Sequence, residues 1–247
     1  GNSLGSSVAA NPWSFTTQAI ASATATGPVS AIPTNVGSIT TTYTTSGATP
    51  TSVNLYYTTN GGTTWTLAGN DATVDGSFGW IIPSAGTYHW LASAVGGGST
   101  EPSPPAGGTP PEAGPYIYDN VRPAVSSVVP NNGATGVFPS QNIVITFSEP
   151  INTASFSFGT TFTISPNPGG LSVAWSGGNT IATVTHTAFT YSTSYSCTLN
   201  TGILDSAGNA MLADYSWSFT THAAASATAT GPIGGPSNVA GVTITYT

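Results

Sequence analysis

Apolar and polar residues change places at every second position through most of this chain, and Gly, Pro, Asn or Asp breaks the alternation every eight to twelve residues. That rhythm belongs to a β-sandwich, and no eleven-residue window keeps a 3.6-residue period, so helices are not predicted. In SVNLYYTTNGGTTWTL, Val53, Leu55 and Tyr57 are expected on an apolar face, with Ser52, Asn54 and Tyr56 on a wet one. Asn60-Gly61-Gly62 supplies the positive φ angles of a tight turn, after which Trp65 and Leu67 resume the alternation. SFGWII at 77–82 and TYHWLASAV at 87–95 continue it, with Phe78, Trp80, Tyr88 and Trp90 expected between two sheets. GGGSTEPSPPAGGTPPEAG at 96–114 is too rich in Gly and Pro for a central strand and reads as a long loop, with PYIYDN as a strand returning from it.

Composition narrows the class of partner. Only 4% of residues are charged, the formal net charge is −7, and Arg122 is the single basic side chain, so a nucleic acid finds nothing to hold. Without lysine there is no Lys–Asn isopeptide crosslink, and Cys197 alone forms no internal disulfide. Because Arg122 precedes Pro123, trypsin has no good cleavage site, which suits an extracellular or cell-surface life. Threonine, serine and glycine abound, yet aromatics at 10% and the clear alternation separate this chain from a disordered stalk. No run of eighteen apolar residues is present to span a membrane, and no signal peptide opens the sequence. N-glycosylation sequons are absent, while O-linked glycans on the threonines are conceivable partners.

A second module begins at 121. It opens with RPAVSSVVPNNGATGV, continues through the strand IVITFSEPIN, the hairpin LSVAWSGGNTIATVT and the turn DSAGNAM, and closes with YSWSFTT. In that order these segments resemble the bacterial and archaeal Ig-like domain typified by S-layer proteins. The resemblance implies an all-β sandwich serving as a spacer or structural repeat, with no catalytic centre. The first module resembles a different Ig-like or fibronectin-like repeat, through LYYTTNGGTTWTLA. The residues of the second module give the same answer independently: Ile143, Ile145 and Phe147 share one face, as do Tyr195, Cys197 and Leu199, so Cys197 is expected to be a small buried apolar side chain.

Sites of chemistry are scarce. Asp205-Ser-Ala-Gly-Asn209 has the chemistry of a turn; its rival is a Ca²⁺ site built from Asp205 with Asn209 or Glu149, but Ca²⁺ takes six to eight oxygens and one carboxylate without a dense D-x-D run offers too few. His89, His186 and His222 lie within or at the ends of expected strands with no carboxylate neighbour or metal-ligand spacing. Asp71 and Asp75 read as turn residues, and no Cys/His signature or phosphate loop is present. No catalytic residue, metal or cofactor is therefore expected, and no enzyme. Among the aromatics, Tyr43 and Tyr56 are expected to point outward and carry the one hint of glycan binding.

The largest constraint on function is a duplication. WSFTTQAIASATATGP at Trp13 returns as WSFTTHAAASATATGP at Trp217, fourteen of sixteen residues identical after 204 positions. Residues 1–18 then read as the closing strand of a preceding Ig-like module and 19–26 as a connector, ordered and extended. Residues 27–120 form sandwich A, 121–222 sandwich B, and 223–247 a connector plus the opening strand of the next A module. The expected fold class is all-β: tandem Ig-like sandwiches with incomplete modules at both ends, excerpted from a longer array. The function expected is a structural repeat of an extracellular filament, sheath or surface layer, self-associating with neighbouring copies; the alternative is an adhesin or glycan-binding array.

Overall fold

The computed structural model describes residues 19–226, in two compact units that divide between Asn120 and Val121. Among the described residues the one helical element is a single 3₁₀ turn at Thr153–Ser155, capped by the Asn152 side chain, which accepts from the Ala154 N–H. The rest is strand and turn, an Ig-like all-β fold.

In unit 1, β1 (Ser22–Gly27), β3 (Ser38–Ser46) and β6 (Ser77–Ile81) form a three-stranded antiparallel sheet in the order β1-β3-β6. A five-stranded sheet runs β2 (Ser30–Thr34), β8 (Ala113–Tyr118), β7 (Gly86–Val95), β4 (Ser52–Thr58), β5 (Thr66–Asp71). Between the sheets lie Val53, Leu55, Tyr88 and Trp90, with Tyr57, Phe78 and Trp80 packed against them. Trp80 meets the Trp90 ring edge-on at 5.2 Å, an arrangement favoured by the ring quadrupoles. The Asn60 turn is tied by Thr58, whose Oγ1 accepts from the Asn60 and Gly62 N–H groups, while Gly61 and Gly62 take φ of 69° and 90°.

Three details of unit 1 differ from the sequence reading. The stretch expected as a connector holds a strand, β1, because Ala23 and Ala25 are small enough to bury while Thr24 and Thr26 face out. Leu67 is 52% exposed, not inward: the β4–β5 register shifts between Leu55 and Tyr56, and one extra residue moves every later side chain to the opposite face. Tyr43 and Tyr56, expected outside, are only 3% and 5% exposed. Tyr43 falls on the inward stripe of β3, and the 96–112 loop covers Tyr56, whose hydroxyl lies 2.7 Å from Ser103 Oγ.

In unit 2 one sheet runs β13 (Ser172–Ser176), β14 (Ile181–Thr185), β11 (Ile143–Phe147), β9 (Val125–Val129). The other runs β10 (Ala134–Val137), β16 (Tyr215–Thr221), β15 (Ser194–Leu199), β12 (Phe162–Ser165). Ile143, Ile145, Phe147, Tyr195, Cys197 and Leu199 are all buried between them, together with Phe162, Trp217 and Phe219. Full burial of each such side chain is worth about 1.5–3 kcal/mol, which is how a period-two pattern becomes a sandwich.

Candidate functional site

The most unusual polar arrangement of unit 1 lies where its two sheets approach at one corner. β7 pairs with β8 only as far as Trp90. Beyond that point the Ala92 and Ala94 N–H groups face the Ala23 and Ala25 N–H groups of the edge strand β1, donors opposite donors. Two side chains from the far reaches of the 96–114 segment fill the gap. Glu112 Oε2 accepts from Ala25 at 2.6 Å and from Ala92 at 3.0 Å; Glu101 Oε2 accepts from Ala94 at 2.6 Å and Ala23 at 3.2 Å, with its Oε1 3.1 Å from Ala23 N. Carboxylates thus do the work of a missing strand's carbonyls, in charge-assisted bonds roughly twice as strong as neutral ones. A recess of about 140 Å³ adjoins them, lined by both glutamates, Leu91, Pro102, Pro105 and Thr109.

Burial pushes the Glu112 carboxyl above its ordinary value; the N–H bonds from Ala92 and Ala25 oppose that rise and the charge of Glu101 adds to it. A carboxyl raised by folding stabilises the fold below its unfolded pKa and loses that contribution as pH rises through the folded one. Glu112→Gln keeps one acceptor oxygen and cannot ionise. The expected result is a unit 1 whose denaturation midpoint no longer declines across that pH interval, read by urea titrations from pH 4 to 7.

A second buried carboxylate ties the sheets together internally. The Tyr43 hydroxyl of β3 donates to Asp71 Oδ2 at the end of β5, and Asp71 Oδ1 accepts from Thr73 N at 2.8 Å, Thr73 Oγ1 at 2.6 Å and Val74 N at 3.2 Å. Burial alone would raise the Asp71 pKa, but the bonds from Thr73, Tyr43 and Val74 outweigh it and hold the carboxyl at about 2. Burial, seconded by the Asp71 bond, pushes Tyr43 up to about 12. The folded value of Asp71 is depressed, so its contribution is present above the unfolded value of 3.8 and drains as pH falls toward about 2. Tyr43→Phe should raise the Asp71 pKa and shorten that acid-sensitive interval, as read by carboxyl NMR titration. Asp75 stays a turn residue, its Oδ1 3.0 Å from both Ser77 N and Ser77 Oγ.

Of the residues weighed as metal ligands, Asp205 and Asn209 form a well-satisfied turn in unit 2. Asp205 Oδ1 accepts from Ala207 N and Asn209 N, both at 2.8 Å, and its Oδ2 accepts from Asn209 Nδ2 at 2.8 Å. Asp205 is fully buried, and its carboxylate lies within 4.8 Å of that of Glu149. Asp205 Oδ1 is thus taken by two backbone N–H groups and Oδ2 by the Asn209 side-chain amide, the signature of an Asx-type turn. The expected outcome of adding millimolar Ca²⁺ or a chelator is a melting temperature unchanged to within about 1 °C, because binding alone shifts stability.

The histidines are scattered. His89 lies in β7; His186 Nε2 is 3.0 Å from Gln141 O with its ring stacked on Phe189 at 3.7 Å; His222 stacks on Phe138 at 5.8 Å. Cys197 is completely buried and burial pushes its thiol up to about 12, which suppresses the reactive thiolate. Sequence reading found the turn at Asp205 and the burial of Cys197. It missed Glu101 and Glu112, although two acids in an otherwise uncharged loop were a signal, and it missed the Tyr43–Asp71 pair.

Comparison with known proteins bears on unit 2. Residues 119–221 match the family described as the bacterial Ig-like domain. Two solved structures, both titled "Marsupial T cell receptor", are similar at 15% and 12% identity. They cover 83% and 82% of this chain and 98% and 64% of their own, with TM-scores of 0.27 and 0.24. No curated protein matches.

Proposed function

We propose that this chain is a structural, non-catalytic repeat of an extracellular filament, sheath or surface layer, built as an end-to-end array of β-sandwiches. One observation carries the reading: the duplicated text falls in phase with the strands. Residues 13–17 spell the Trp217–Thr221 portion of β16, an inner strand between β10 and β15, and 226–231 spell β1 letter for letter. The recurring text is that of β16 and of β1, so the 204-residue period of the sequence coincides with the strands that close one unit and open the other. Only residues 222–225 separate the end of β16 from the second spelling of β1. Four residues span at most about 14 Å, so successive modules in such an array are held close. A chain of that kind gains stability by nearest-neighbour contacts, as repeat proteins do.

The bacterial Ig-like match over unit 2 supports a surface-exposed setting. The rival reading, a glycan-binding array, rested on Tyr43 and Tyr56, and both are buried. Negative-stain microscopy of native surface material is the test. Long unbranched threads are expected; dispersed single particles at every concentration would overturn the proposal.

A further inference from the structure

In its own sheet β1 pairs with β3, and its other side faces β7 of the second sheet. The N–H groups on that second side belong to Ala21, Ala23 and Ala25, and each has an acceptor. Ala21 donates to Gly97 O at 3.1 Å, Ala23 to both oxygens of Glu101, and Ala25 to Oε2 of Glu112. The same two carboxylates hold β7 through Ala94 and Ala92. Ala23 thus stands across from Ala94 and Ala25 across from Ala92, an antiparallel register with a carboxylate in each rung.

The direction of the strands decides how such rungs respond to a pull. β7 is antiparallel to β8 as well, with Gly86 opposite Tyr118 and Tyr88 opposite Tyr116. β1 and β8 therefore run the same way. The chain enters unit 1 at Ala21, beside Gly97, and leaves at Tyr118, beside Gly86, so entry and exit lie at opposite ends of β7. The ten residues of that strand put roughly 30 Å between them. A pull on those two points slides β1 lengthwise along β7 and loads all the rungs together. A pull that peeled β1 from one end would break them one at a time.

We propose that Glu101 and Glu112 form a mechanical clamp through which unit 1 carries tension between its entry and its exit; this rests on the array reading above, in which each β1 follows a β16 after only four residues. Tension passed along such an array arrives at β1 first. Alternating Ala and Thr give that strand little apolar area to hold it by, so bonds carry what packing does not. Charge is also costly here. Unit 1 has no lysine or arginine to balance two partly buried carboxylates, the single Arg122 lying in unit 2. What a carboxylate adds over a neutral acceptor is bond strength, by a factor of roughly two.

The test stretches the whole 247-residue chain at constant force between thiol-linked handles. Handles at Ala19→Cys and Asn120→Cys load β1 against β8. Handles at Thr49→Cys and Asn120→Cys send the force through the β4, β7 and β8 ladders and bypass β1. Cys197 is fully buried and stays unlabelled. Lifetimes under force report the unfolding rate. Glu101→Gln with Glu112→Gln keeps an acceptor oxygen in each rung and removes the charge. Along the first axis this pair should unfold about tenfold or more faster than the unaltered chain, and Glu112→Gln alone about threefold faster; along the second axis the change should stay below about threefold. Equal acceleration on both axes would make the glutamates general stabilisers and overturn the clamp, as would unchanged lifetimes on the first. Every lifetime is read on a single chain, so native material without threads overturns the array and leaves the measured clamp standing.

Discussion

Glu112→Ala should destabilise unit 1 by about 2–6 kcal/mol, because it orphans two part-buried N–H donors and each unsatisfied group costs about 1–3 kcal/mol. The donors are Ala25 of β1 and Ala92 of β7, which no strand carbonyl can serve where β7 outruns β8. Glu112→Gln keeps one acceptor and should cost markedly less, so the difference between the variants isolates the loss of the acceptor from the loss of charge. Hydrogen exchange at Ala25 and Ala92 checks the mechanism directly: fast exchange at both in the Ala variant is expected, and undiminished protection would contradict it. A loop rich in Gly and Pro thus supplies a structural bond that fixes an edge strand.

The second large effect is expected from Trp90→Ala. Trp90 is fully buried, faces Trp80 at 5.2 Å and Tyr88 at 6.2 Å, and its Nε1 donates to Pro28 O at 3.2 Å. Truncating a buried tryptophan typically costs about 3–5 kcal/mol, from lost burial and from the cavity left behind. The Pro28 carbonyl loses its donor as well, and the stretch between β1 and β2 loses its anchor. Urea denaturation of unit 1, followed by exchange of the β4 and β7 amides, should show the midpoint falling by that amount. A loss below about 1 kcal/mol would mean that the core collapses around the gap, which close packing opposes.

Much of the architecture could be read from letters alone, and the reason is local. Ile143, Ile145 and Phe147 sit two apart on a strand, and period two survives whatever the strand pairs with, so their burial followed from spacing. The Asp205 turn was legible for the same reason, since its bonds join residues within four positions of each other. What escaped was set by distant partners. Leu67 moved to the outside because β4 and β5 slip by one residue, an event no single strand records. Tyr56 was covered by Ser103, forty-seven residues away, and Glu112 found Ala25 across eighty-seven. β1 was hidden by its composition: alternating Ala and Thr carries little apolar contrast, and only its neighbours β3 and β7 make its alanines part of a core.

In the proposed array, sandwiches of two kinds alternate along one continuous thread. Cryo-electron microscopy of native threads tests it most directly, through the axial repeat and the number of sandwiches within it. One repeat per 204 residues of sequence is expected, containing one copy of each unit, with the 222–225 segment joining each second unit to the next first one. Threads whose repeat holds a single kind of sandwich, or whose units attach through lateral faces instead of through that junction, would contradict it.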